Sequence, residues 1–110
     1  MMRKAMSLLG LILAMGPGTL AVAQEAGEVA AGAALARTWC SNCHVIGKAG
    51  EGSPSDAAPP FAVIARQPDV TPLSLRVFLQ TPHSNMPNYQ LSRTEMDDVI
   101  AYLLSLREGR

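Results

Sequence analysis

The sequence predicts an all-α domain of three main helices joined by long loops. Three observations carry that prediction. Apolar residues recur at helical spacing in three separate stretches. Two of the stretches open on capping signatures. No run alternates apolar and polar residues over five or more positions, so no half-buried strand is expected. The 110 residues, of formal net charge zero, suffice for one small domain and exclude a large nucleotide-binding or barrel architecture. Neutrality without a basic stripe argues against a nucleic-acid binder.

Residues 1–23 read as a cleaved signal peptide. Arg3 and Lys4 give a short positive region, and Ser7 to Ala14 an apolar stretch. Gly16-Pro17-Gly18 breaks any helix, and Ala21-Val22-Ala23 supplies the small-x-small pattern of a cleavage site. The apolar run is shorter than the roughly 20 residues that span a bilayer. The expected product is therefore residues 24–110, exported to a bacterial periplasm, soluble and without a membrane span. With Arg3 and Lys4 removed, seven basic residues face nine acidic ones, a net charge of −2.

Within that product the first helix is expected over Glu25 to Cys40, with Val29, Ala33, Ala36 and Trp39/Cys40 on its buried stripe. Ala49 to Pro60 is too rich in Gly, Ser and Pro for regular structure. Thr71 as N-cap and Pro72 at the first helical position open the second helix, which runs through Leu75, Phe78 and Leu79 and stops before Pro82. Ser92-Arg93-Thr94-Glu95 is a capping box for the third. There Met96, Val99, Ile100, Leu103 and Leu104 form one apolar stripe, and Asp97 and Asp98 suit the positive end of the helix dipole.

The chemistry concentrates at Cys40-Ser41-Asn42-Cys43-His44, which contains both cysteines of the chain. A CxxCH pentad reads as a haem c attachment site. On one helical turn Cys40 and His44 share a face, with Cys43 alongside. Two sulfurs can then form thioethers with the vinyl groups of one haem edge, while the imidazole comes up beneath the iron. Three competitors fare worse. A thioredoxin-like pair lacks the alternating strands and helices of that fold. Half a zinc site lacks a second ligand pair at the right spacing. A disulfide across two residues would be strained and would close almost no loop. Nor does the sequence offer a nucleophile–base–acid constellation, so no enzyme activity is expected.

These residues resemble the small class I c-type cytochromes, bacterial monohaem cytochromes c, over nearly all of residues 24–110. Gly32 lies eight residues before Cys40, and Asp98-Val-Ile-Ala-Tyr102-Leu is similar to the family's last helix. The resemblance implies the cytochrome c fold: three main helices and long loops wrapped around one covalently bound haem, with Gly32 letting Tyr102 approach where the first and last helices cross. It implies haem c held through Cys40 and Cys43, with His44 as one iron ligand.

For the sixth iron position a soft thioether favours ferrous iron and suits electron transfer. Past the leader only Met86 and Met96 remain. Met96 belongs to the apolar stripe of the last helix. Met86 sits in Pro82-His-Ser-Asn-Met86-Pro87, a loop whose Met-Pro pair resembles the family's ligand loop. His83, three residues earlier, is its rival. The family also orients its histidine with a proline carbonyl. Ala58-Pro59-Pro60-Phe61 resembles that segment, with Pro59 the candidate acceptor and Pro60 second. Phe61, Leu75, Phe78, Leu79 and Tyr89 are candidates for the haem-pocket wall.

The function so implied is a periplasmic one-electron carrier, cycling between Fe(II) and Fe(III). Its expected partners are a donor dehydrogenase or bc-type complex and an acceptor such as a terminal oxidase, bound transiently by a monomer. The alternatives are a dedicated cytochrome subunit of one periplasmic dehydrogenase, or a haem-based ligand-binding or sensor protein. The lysine ring of mitochondrial-type relatives is missing, since residues 24–110 hold a single lysine, Lys48.

Overall fold

A computed structural model describes residues 27–56, 58–81 and 85–108, together with Gly18. The proposed leader, apart from Gly18, and the segment Pro82-His83-Ser84 lie outside the described residues. In order, the described chain forms α1 (Val29–Trp39), α2 (Phe61–Ala65), α3 (Pro72–Gln80), α4 (Arg93–Ser105) and a closing 3-10 turn over Leu106–Glu108. Among the described residues β structure is limited to isolated bridges, two of which pair Val45 with Gly52 and Ser55 with Ala58, and the chain is all-α. No helix among the described residues is long and apolar enough to cross a membrane.

The capping chemistry read from the sequence is present at both later helices. Thr71 accepts from the backbone N–H of Ser74 while the Ser74 hydroxyl serves Thr71, with Pro72 in the first turn. Ser92 and Glu95 do the same for α4. Each box satisfies donors that a helix start leaves without partners.

α1 differs from its expected form in three ways. It starts at Val29, not Glu25, because Gly27 holds φ at +120° and Glu28 is the N-cap. It ends at Trp39, with Cys40 as C-cap. Its buried face carries Gly32 and Ala36, while Val29 and Trp39 are 46% and 45% exposed. The cause is the crossing with α4. A Cβ on Gly32 would run into the Asp98 main-chain carbonyl group and stand 2.8 Å from Tyr102 Cβ. Small residues thus face α4, and Val29 and Trp39 lie off that face.

Asp98 also departs from its expected role. It is buried, and its carboxylate accepts from the N–H of Glu28 at 2.7 Å. It therefore serves the start of α1, not the dipole of its own helix. Asp97 instead pairs with Arg76 of α3.

α2 is a fourth α-helix beyond the three expected. At five residues it is too short to display a helical period. The Arg107 guanidinium, in the closing turn, donates to the carbonyls of Ala65 and Val70 and ties down both ends of the segment leading to α3. The core gathers Ala36 of α1, Ile46, Phe61 and Ala65 of α2, Leu75 of α3, and Met96, Ile100, Leu103 and Leu104 of α4.

Candidate functional site

The pentad continues α1 as a turn. Cys40 and Ser41 both donate to the Ala36 carbonyl, and Cys43 and His44 both donate to the Cys40 carbonyl. Cys40, Cys43 and His44 consequently lie along one wall of the same cavity. The chain then doubles back beneath them. Ile46 donates to Glu51 at 2.6 Å, and Ser53 donates to the carbonyls of Ser41 and His44. Gly52, at φ +107°, permits this return, since a Cβ there would collide with the His44 carbonyl. No L side chain adopts that backbone easily.

His44 Nδ1 lies 2.7 Å from the carbonyl oxygen of Pro59. A carbonyl can only accept, so Nδ1 is the donor and Nε2 keeps a lone pair for a ligand. Phe61, buried, sets its ring 5.3 Å from the imidazole and 6.4 Å from Tyr102. The Tyr102 hydroxyl donates to the Ile46 carbonyl at 2.7 Å. Burial first, and then the Glu51 carboxylate, raise the Tyr102 phenol above its ordinary value, with Arg37 acting against them.

The cavity measures about 470 Å³. This is within the range of about 300–1,000 Å³ usual for cofactor sites. Pro59, Phe61 and Ile64 form one side, Leu75, Phe78 and Leu79 of α3 a second, and Val99, Ile100 and Leu103 of α4 a third. The loop before α4 closes it with Asn85, Met86, Pro87, Asn88, Tyr89 and Leu91. Asn85 sits at φ +67°, which asparagine tolerates. Met86 therefore lines the same cavity as His44. Met96 does not, being buried in the core. Pro60 caps α2 and borders a separate shallow hollow with Lys48 and Arg66.

The donor set and the cavity fit haem c. Two sulfurs and an imidazole stand on one turn, facing an apolar space with a methionine on its other border. Among the described residues no group of three or more His, Cys, Asp or Glu side chains is placed to hold a metal ion. The Cys40 thiol is pushed up to about 11 by burial, whereas Cys43 is exposed.

Sequence reasoning missed Leu35, Trp39, Ile64, Val70 and Leu91 as cavity residues. Trp39 carried a usable signal. It adjoins Cys40, and it is the chain's one tryptophan.

Residues 27–103 match the family described as Cytochrome C oxidase, cbb3-type, subunit III. The chain is also 46% identical over 87 residues to a protein named Cytochrome c-552 from Bradyrhizobium diazoefficiens, an alignment covering 79% of this chain and 80% of that one. No solved structure matches it.

Proposed function

Since the chain belongs to this family of c-type cytochromes and is a haem c electron carrier, we propose that it works in a bacterial periplasm, after cleavage behind Ala23, as a freely diffusing one-electron shuttle. The donor is a dehydrogenase or bc-type complex and the acceptor a terminal oxidase or its equivalent. When bound, haem c supplies a reversible one-electron couple at its iron. The residues do the rest. Cys40 and Cys43 would tether the group and His44 would hold its iron through Nε2, while Pro59 fixes the imidazole tautomer and orientation through Nδ1. Met86, in the loop before α4, would supply a thioether to the same iron. Leu75, Leu79, Ile100 and Leu103 line the cavity and would keep water from the group, favouring its less charged ferrous state.

The observation that carries this reading is that Met86 and His44 line one apolar cavity with the two cysteines. With His44 and Met86 both holding the iron, oxygen and peroxide would find no open position on it. The test is the optical spectrum of ferric holoprotein beside a Met86→Ala variant. A sulfur-to-iron charge-transfer band is expected, lost in the variant. A band that survives the substitution refutes Met86 as ligand. Carbon monoxide binding to the ferrous protein at neutral pH would instead support the ligand-binding reading.

One observation favours a second reading, that of a dedicated subunit. Leu73 and Val77 of α3 are 70% and 56% exposed. Apolar exposure of this kind suits a lasting interface better than a transient one. Co-purification in a fixed stoichiometric complex would decide for it.

A further inference from the structure

The wall that carries Met86 is not a helix. The loop around Met86 carries main-chain bonds of its own: Tyr89 donates to Pro87 at 3.1 Å and Leu91 to Tyr89 at 2.9 Å. Its aromatic contact with the helical frame is a different matter. The Tyr89 ring lies 5.2 Å from the Trp39 ring at an interplanar angle of 46°. Both rings line the cavity. Trp39 is the last residue of α1, the helix locked onto α4 at Gly32. Trp39 is also bonded to Cys40, so one end of the contact sits on the attachment turn and the other sits three residues from Met86.

Trp39 lies outside the apolar core cluster. A tryptophan at a helix end that packs on a loop aromatic across the border of a cavity has a different use. We infer that Trp39 is a positioning residue which, through Tyr89, holds the Met86 loop over the cavity and so sets how readily the methionine sulfur leaves its place. The inference rests on the proposed ligation by Met86. An aromatic pair in this tilted arrangement contributes enough, beyond the area it buries, to change an opening equilibrium between about twofold and about tenfold. Loss of either ring removes that bias. Loss of the second ring after the first changes nothing more, because the contact is already gone.

The test is the affinity of exogenous imidazole for ferric holoprotein, followed optically as the sulfur-to-iron band disappears. Trp39→Leu and Tyr89→Leu should each bind imidazole two- to tenfold more tightly than the parent. The double variant should match the single ones, and Tyr89→Phe, which keeps a ring, should restore the parent affinity. Tyr89→Leu lies far from the pentad in sequence, so it serves even where Trp39→Leu impairs haem attachment. Unchanged imidazole affinity in the single variants overturns the inference, even when their denaturation midpoints fall, since a merely structural contact would lower only the midpoint. Additive effects in the double variant overturn it as well. The Met86→Ala spectrum separates this failure from that of the ligand assignment. A parent protein without a methionine-dependent band removes both, whereas a normal band with unaltered imidazole binding removes only the role of Trp39.

Discussion

Gly32→Ala probes the crossing on which the helical frame depends. In an exposed helix this change would stabilise by about 1 kcal/mol, since glycine is the poorer helix former. Here the new Cβ would stand 2.5 Å from the Asp98 carbonyl carbon and 2.8 Å from Tyr102 Cβ. The first obstacle is main chain and has no rotamer to yield, so α1 must lift from α4. Overpacking of this kind costs about 1–3 kcal/mol, and a clash with backbone belongs at the upper end. Lifting α1 also strains the bond from Glu28 N–H to Asp98, 2.7 Å long, a further loss of about 1 kcal/mol. The helix-propensity gain offsets part of this, leaving a net loss of about 3 kcal/mol. For a domain this small that is a fall in Tm of roughly 12–24 °C. The assay is guanidinium denaturation of ferric holoprotein, with Ala34→Gly on the exposed face of α1 as the control for propensity alone, expected to lose about 1 kcal/mol. A Gly32→Ala protein as stable as its parent would refute the close crossing.

Asp98→Ala should lose about 1–3 kcal/mol, read as a lower denaturant midpoint at constant slope, because the Glu28 N–H is left without its buried acceptor. Tyr102 is held neutral in the folded state above the ordinary phenol value of about 10. Its contribution is therefore whole below pH ~10 and is lost as pH rises beyond that, while the unfolded chain ionises first. Tyr102→Phe should flatten that part of the alkaline stability curve, and a curve identical to the parent's counts against the phenol. Protein produced without haem should lack fixed tertiary packing in near-UV circular dichroism. Without haem, the cavity of about 470 Å³ leaves Leu75, Ile100 and Leu103 without the packing partner that its shape implies, so the apolar lining loses those contacts. Association rates with an acidic redox partner should change little with added salt, as residues 24–110 hold one lysine and an acidic excess; a steep fall with salt would contradict this.

What the sequence made legible are the features with local chemistry. A helix cap needs only its own few residues: Thr71 caps α3 and the Ser92–Glu95 box opens α4 where the sequence places them, while the reciprocal bond from Ser74 at α3 was not read from the sequence. The Gly32–Tyr102 crossing was visible through family resemblance. The features that were not legible depend on partners distant in sequence. The face of α1 is chosen by α4, so periodicity within Val29–Trp39 could not tell the Gly32/Ala36 stripe from one through Val29 and Trp39. Asp98 reads as a first-turn acid until Glu28, seventy positions earlier, is brought beside it. α2 is a helix because Pro59-Pro60 leads into it and Arg107 holds its far end, and neither cause lies within its five residues.

The same division runs through the site. Cys40, Cys43 and His44 are fixed by a turn that the pentad itself builds, and the Pro59 carbonyl reaches His44 because Gly52 lets the intervening loop fold back. The opposite wall meets the helical frame through the packing of Tyr89 on Trp39, and Trp39 is carried in turn by the α1–α4 crossing. Trp39 lies seven residues beyond Gly32, about 10 Å along the helix at 1.5 Å per residue, so a tilt of α1 at the crossing displaces the indole by a comparable lever. The glycine that permits the crossing thus bears on the loop that carries Met86 without touching it. On the proposed ligation by Met86, stability of the helix pair and retention of the methionine would be coupled, and substitutions at the crossing would act on both.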